Sequence, residues 1–396
     1  MKILQLCYKP PYPPIDGGSM GMHSLTMGLL KNNHEVKVLS FSSYKHPSNP
    51  KFMPKDYLEK TNYESIFIDL KINAFDALKC FLTNKSYHAE RFKSKEMEER
   101  LNELLEEESF DVIQLESIFL ASYIPVIRSK TKAKIVLRAP NIEHLIWVRI
   151  SEHTKNPFKK FYTKHLASTL KRFELEQVNN FDGVYPVTDI DARFFIENGL
   201  EKPCIGVPVG IDNTDSINTE DYEPNSLFHI GSMNWAPNEQ GIKWFIEEVW
   251  DEIHKVQPYV KAYFAGRAMP EWMIKLQKDG IIISGEVTDS IEFMNSKHIM
   301  IVPLLSGSGI RIKIIEAMSI GKCVIATTQA AEGIMYEDGK NIIIADNPEE
   351  FAEAVDKCVK DNNYPKMIGE NAYKLINEKY NIEAVANRLV ELYNKL

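Results

Sequence analysis

Cysteine is scarce and unpatterned in this chain. Five residues, Cys7, Cys80, Cys204, Cys323 and Cys358, are spread over 396 positions. No CxxC and no metal-ligand spacing occurs among them, which argues against a disulfide scaffold or a cysteine-held zinc. They read as buried, reduced thiols of a cytoplasmic protein. No apolar run approaches the roughly 18 residues of a membrane-spanning helix. Strand-like sequence begins at Lys2, so no cleaved leader is expected. Positive charge is short as well: the net charge is −8, against a nucleic-acid partner. No internal repeat or low-complexity tract is visible.

What is present is the composition of a globular protein, 44% hydrophobic and 26% charged. A chain of 396 residues is too long for one typical core and suggests two domains. Charge is uneven: residues 1–205 carry a small positive excess, and the remainder carries the acidic balance. The relatively basic first half leaves contact with the inner face of a membrane open.

The stretch from Ile301 to Gly333, IVPLLSGSGIRIKIIEAMSIGKCVIATTQAAEG, organises the rest. A short apolar run ends at Pro303, a loop with Gly307 and Gly309 follows, and a helical pattern runs from about Arg311 to Ile320. Gly321 stops that helix beside Lys322, and Cys323 to Ala326 is a second apolar run. This is strand, glycine loop, helix, strand. Glycines let a backbone expose its N–H groups to a ligand, and a helix N-terminus attracts anions. Arg311 and Lys313 put two cations where a helix prefers acids. A bound anion would offset that cost. Glu316, five residues past Arg311, is placed to accept hydrogen bonds from a ribose.

SGSGIRIKIIEAM…GKCVIAT…AAEG resembles the donor-binding motif of the retaining GT-B glycosyltransferases, glycosyl transferase group 1. The resemblance is continuous over about residues 225–345 and patchy before them. It implies an α/β fold of two Rossmann-like domains facing across a cleft. The expected boundaries are 1–208 for an acceptor domain, 209–376 for a nucleotide-sugar donor domain, and 377–396 for a terminal helix returning to the first. In the family two glutamates are separated by seven intervening residues, the second holding the donor's ribose. Glu316 falls on the second, and Ser308 replaces the first. Many relatives carry an Arg after the first C-terminal strand's glycine and a Lys before the next helix. Here Gly231 is followed by Ser232, and the second place holds Glu239, so the charge has moved to Arg311 and Lys313. These two are the expected catalytic residues, stabilising the departing diphosphate. Expected donor contacts are Gly17, Gly18, Gly231, Arg267, Gly285, Val287, Ser308, Gly309, Ile310 and Glu316. The turn ISGEV would read the nucleotide base.

The first half repeats the pattern. KILQLC is a strand, YKPPYPPIDGGSMG a loop whose Gly17 and Gly18 open a helix to about Asn32, and HEVKVLSF a strand. Further strands are expected at Ser65–Leu70, Asp111–Glu116, up to Leu137, over GVYPVT, and at Cys204–Val209. Asn141, Glu143 and His144, near an RxHNxE-like segment whose histidine position is Pro140, are expected on the acceptor or sugar side. Phe158 to Asn180 is a basic amphipathic helix, either solvated or touching anionic lipid. Asp189-Ile190-Asp191 matches a DxD metal motif but opens a helix, where acids serve as caps. No metal or other cofactor is expected. GIDNTDSINTEDYEPNS reads as a linker.

These readings favour transfer of a sugar, with retention, from a UDP- or GDP-linked donor to a glycan or lipid-linked acceptor in cell-surface polysaccharide or glycoconjugate synthesis. A nucleotide-sugar epimerase on the same fold, or a non-catalytic sugar-nucleotide-binding subunit, are the alternatives.

Overall fold

The computed structural model describes residues 1–154, 156–212, 222–307 and 309–396. The chain divides into two units. One comprises Met1–Gly210 with Ile382–Leu396, and the other Ile211–Asn381.

The first unit holds six parallel strands: β1 (Lys2–Cys7), β2 (Glu35–Ser42), β3 (Glu64–Phe67), β4 (Val112–Leu115), β5 (Lys134–Ala139) and β6 (Gly183–Pro186). Their order is β3-β2-β1-β4-β5-β6. Both faces of the sheet are covered, so β1 reads as a near-continuous apolar run, with Ile3, Leu4, Leu6 and Cys7 fully buried. Each such side chain contributes roughly 1.5–3 kcal/mol of burial. The Ile382–Tyr393 helix packs on the Gly17–Lys31 helix within this unit. Gly28 permits the approach, because a Cβ there would run into the Ile382 carbonyl.

The second unit holds β7 (Glu223–Ile230), β8 (Lys261–Ala265), β9 (Ile281–Gly285), β10 (Lys297–Val302), β11 (Cys323–Ala326) and β12 (Ile343–Ile344). Their order is β12-β11-β10-β7-β8-β9. Both sheets therefore have doubly wound order, with switch points between β1 and β4 and between β7 and β10.

Two expected elements differ. Cys204–Val209 is not a ladder strand and makes one isolated bridge, Cys204 to Val184. Pro203 precedes it and Pro208 lies within it, and neither supplies an N–H group. The linker ends earlier than expected, since Glu223 to Ser226 already belong to β7. Glu223 is fastened there by Lys297 at 2.8 Å and by the Tyr263 hydroxyl at 2.7 Å. The middle of the linker lies outside the described residues.

Candidate active site

Ligands of open α/β sheets sit at the C-terminal ends of the strands, at the switch point. In the second unit that place is built from the end of β7, the loop after β10, and the Ile312–Ser319 helix.

His229, near the end of β7, is fully buried. Its Nδ1 lies 2.9 Å from the Ile301 carbonyl oxygen, a partner that can only accept. Nδ1 therefore carries the proton and Nε2 offers a lone pair. Burial, and then the neighbouring Lys313, hold the imidazole well below its usual pKa, so it is neutral. Lys313 Nζ donates to this Nε2 at 3.0 Å and to Asn238 Oδ1 at 2.7 Å. Asn238 is oriented by its own donation to the Ser232 carbonyl at 2.8 Å. Two hydrogens of the ammonium are thus placed by neutral acceptors, and no carboxylate among the described residues pairs with it. Burial, then Arg311, push the half-buried amine down to a pKa of about 7. Gly231 makes the room: a Cβ there would lie 3.0 Å from Lys313 Nζ and 2.8 Å from Asn238 Nδ2.

Arg311 and Lys313 would not share a face if both were helical. The structure resolves this by leaving Arg311 outside the helix, at the N-cap with φ −86° and ψ 88°. Its guanidinium, 4% exposed, turns inward. It donates to the Gly309 carbonyl and, at 3.2 Å, to the Gln329 carbonyl, with its Cζ 5.7 Å from the centre of the Trp235 ring. Arg311 thus carries charge and also holds the shape of the loop. Gly307 and Gly309 take φ of +126° and +80°, conformations costly for other residues. Among the described residues, this helix N-terminus has no side-chain cap, and its first turn holds no acid. The N–H groups of its first two residues, with Arg311 and Lys313 beside them, favour an anion.

Glu316 is half-buried, and among the described residues no side chain or backbone group hydrogen-bonds its carboxylate. Burial raises its pKa. Ile310 packs against the unit's core. Ser308 lies outside the described residues. The turns after β7, β8 and β9 are laced by backbone bonds: Gly231 N–H to Ala265 O at 3.0 Å, Met233 N–H to Arg267 O at 2.9 Å, and Gly266 N–H to Gly285 O at 2.7 Å. Gly285 has φ +70°, and Val287 is half-buried. Arg267 is exposed, with Glu286 at 3.9 Å. Ser232 and Glu239 supply no cation: Ser232 donates to Asn234 at 2.8 Å, and Glu239 accepts from Trp272 Nε1 at 2.8 Å.

The glycine turn of the first unit, after β1, is closed. Asp16 caps the Gly17–Lys31 helix through the Ser19 N–H at 2.9 Å, and Lys9 Nζ lies 2.5 Å from the same carboxylate. A Cβ at Gly18 would meet the Tyr8 hydroxyl and Lys9 Nζ. Asn141 and Glu143 stand after β5. Burial and the nearby Glu174 push Glu143 up to about 7, while a hydrogen bond from Asn141 opposes the shift. His144, expected beside a sugar, is instead 1% exposed, with Nδ1 2.5 Å from Glu174 Oε2. Glu174 also accepts the Glu143 and His144 N–H groups at 3.0 and 3.3 Å. His144 is held inside by that carboxylate from the Pro157–Gln177 helix, a partner 30 residues away in sequence. Of the DxD pair, Asp189 accepts the Gly206 N–H at 3.0 Å, and the Asp191 N–H goes to Thr188 Oγ1 at 2.9 Å.

Sequence reasoning missed His229, Asn238 and Trp235. A histidine inside the apolar run LFHI was the available signal, since a buried polar group needs a partner.

Residues 224–361 match the family profile "Glycosyl transferases group 1". Over 406 aligned residues the chain is 25% identical to an uncharacterized 44.6 kDa protein in the cps region of Klebsiella pneumoniae, covering 97% of each. It is 23% identical over 315 residues to an uncharacterized glycosyltransferase of Methanocaldococcus jannaschii, covering 72% of this chain and 76% of that one. Among solved structures it superposes on Anabaena HepE in complex with UDP, with a TM-score of 0.68, 15% identity and full coverage of both chains. HepE has also been solved with UDP-glucose. The match to the glycosyl transferases group 1 profile thus falls within the second unit, and the chain has the GT-B fold.

Proposed function

We propose that the chain is a glycosyltransferase that takes a sugar from a nucleotide diphosphate donor and passes it, with retention, to a glycan or lipid-linked acceptor. The observation that carries this reading is Lys313: an ammonium gripped by His229 and Asn238, unpaired with any carboxylate among the described residues, beside an uncapped helix N-terminus. That arrangement suits a diphosphate, and the family match and the UDP-bound neighbour support it.

In this reading the diphosphate lies against Lys313 and the first N–H groups of the Ile312–Ser319 helix. Glu316 accepts hydrogen bonds from the ribose hydroxyls, which would satisfy its otherwise unpartnered carboxylate. The bond between the anomeric carbon and the phosphate oxygen breaks, and the acceptor oxygen bonds to that carbon from the same face. The acceptor's proton passes to the departing phosphate oxygen. Charge grows on the diphosphate as the bond breaks, so Lys313 contributes more in the transition state than in the ground state. Asn141 and Glu143 are proposed on the acceptor side. The K. pneumoniae relative's position in a cps region supports a role in surface polysaccharide synthesis.

The test is to screen UDP, GDP and their sugars by thermal shift with the full chain. The best binder is then incubated without acceptor, with and without EDTA. A ligand at 100 times its Kd adds about 2.7 kcal/mol to the unfolding free energy. The expected result is a clear shift with one nucleotide, followed by slow release of free sugar that EDTA does not abolish. No stabilisation by any nucleotide, or accumulation of an epimerised nucleotide sugar, would overturn the proposal.

A further inference from the structure

The Ala74–Thr83 helix of the first unit has two apolar faces. Ala77, Cys80 and Phe81 turn inward. Phe75, Leu78 and Leu82, spaced three and four apart, form an outward stripe and are 75%, 56% and 74% exposed. A lone exposed leucine needs no explanation, but a contiguous stripe does. The patch continues onto the Pro157–Gln177 helix. Phe81 packs against His165 and Phe161 of that helix, with ring centres 4.4 and 6.3 Å apart, and Arg172 donates to the Asn84 carbonyl. Phe158 and Phe161 there are 86% and 66% exposed.

Cations rim this surface. Lys79 borders the stripe, and Lys164 and Lys171 follow Phe161 on the exposed side of its helix. Beside the stripe, against the adjoining face of the same helix, lies a cavity of about 260 Å³, lined by Lys79, Lys85 and Arg91 together with Asp76 and Glu90. Glu90 is already paired with Lys93 at 2.6 Å. Lys79, Lys85 and Arg91 have no ion pair among the described residues, and Arg91 Nε is buried without a hydrogen-bond partner. The cavity therefore keeps cationic donors to spare.

We propose that this face of the first unit docks on an anionic lipid bilayer, with Phe75, Leu78, Leu82, Phe158 and Phe161 entering the headgroup region and the cavity cations taking lipid phosphate. An exposed apolar stripe bordered by lysines is the pattern of an interfacial helix. A second copy of this chain would suit it less well, because the same lysines would face each other across a two-fold interface. This docking is independent of the donor chemistry.

The experiment is flotation of the full chain with vesicles of phosphatidylcholine alone and with 30 mol% phosphatidylglycerol (a probe composition of our choosing, about one anionic lipid in three). Two variants are compared. In one, Phe75, Leu78 and Leu82 become Ser, and in the other Lys79, Lys85 and Lys164 become Gln. Wild type should float with the anionic vesicles and not with the neutral ones. Each lysine removed should weaken partitioning roughly fivefold, and the serine variant should stay in solution while keeping its far-ultraviolet circular dichroism. The lysine variant tests the charge term by itself if the serine variant does not fold. No flotation of wild type, or equal flotation on both vesicle types, would overturn the proposal. So would a wild-type dimer in light scattering that the serine variant dissolves, since a second copy would then occupy the face.

Discussion

Replacing Lys313 with Met separates binding of the diphosphate from the integrity of the fold. Methionine keeps the length and apolar stem of the side chain and deletes the ammonium. In the unliganded protein two effects oppose each other. His229 Nε2 and Asn238 Oδ1 lose a donor, and an unsatisfied buried acceptor costs about 1–3 kcal/mol. Against this, a desolvated charge beside Arg311 disappears, and burying such a charge costs a similar amount. The unliganded melting midpoint should therefore change little. The liganded state has no such compensation. A hydrogen bond to a charged group contributes about 1.5–3 kcal/mol, so the Kd for UDP should rise about 10- to 150-fold. At a concentration of 100 wild-type Kd, stabilisation should fall from about 2.7 to about 0.4 kcal/mol for a hundredfold loss. On the leaving-group argument kcat should drop by about 10²–10³. Titration calorimetry with UDP, melting with and without UDP, and donor turnover read these quantities. A variant with wild-type UDP affinity and wild-type kcat would refute the placement of the diphosphate at Lys313.

Gly231→Ala places a methyl 3.0 Å from Lys313 Nζ; at about 1–2 kcal/mol for such crowding, UDP affinity should fall roughly tenfold, and unchanged calorimetry would show that the amine does not need its present position. Glu316→Ala should raise the donor KM sharply without unfolding the chain, and Glu316→Gln should do less, because an amide oxygen still accepts one bond; donor affinity unchanged from wild type in both would remove Glu316 from the site. The pKa of about 7 at Lys313 lies below the ordinary 10.5, so the ammonium of the free enzyme is present below pH 7 and lost above it. kcat/KM for the donor should fall through that pH, while kcat at saturating donor should persist to higher pH, because a bound diphosphate restores the proton. The stability of the unliganded fold moves the opposite way: between about 7 and 10.5 the unfolded chain binds the proton and the folded chain does not, so stability rises with pH. Melting of wild type beside Lys313→Met across this range checks the sign.

Most of the fold was legible from period and punctuation. β1, β4 and β10 are apolar runs closed by turns, and Gly321 ends its helix where an αL glycine should, with φ +75°. The failures had long-range causes. Cys204–Val209 has the composition of a strand, but the prolines before and within it limit it to one bridge. Glu223 to Ser226 look like linker and become strand, because Lys297 and Tyr263 bond Glu223 from elsewhere in the sheet. His144 looked available beside Glu143, yet Glu174 draws it inward. In the last two cases, local sequence gives no hint of a partner that arrives only after folding.

The two glycine turns show which part of the site was readable and why. One follows β1 and the other β10, and both open a helix. The first carries its own cap in sequence, Asp16 with Ser19 three residues on, and the structure closes it further with Lys9. Its helix N-terminus is already satisfied from within the protein. The second begins Arg311-Ile312-Lys313, with two cations and no capping residue at its first position, and among the described residues no side chain caps that N-terminus. Pattern alone ranks the turns together, while charge accounting separates them: one supplies its own anion and the other waits for one. What sequence could not supply was the means of holding two cations near that point without mutual expulsion. The structure does it by dividing their tasks. Arg311 spends its donors on the carbonyls of Gly309 and Gln329, and Lys313 is steadied by two neutral acceptors, His229 and Asn238. Both acceptors come from outside the loop, one from β7 and one from the helix after it, so no reading of the loop by itself could have found them.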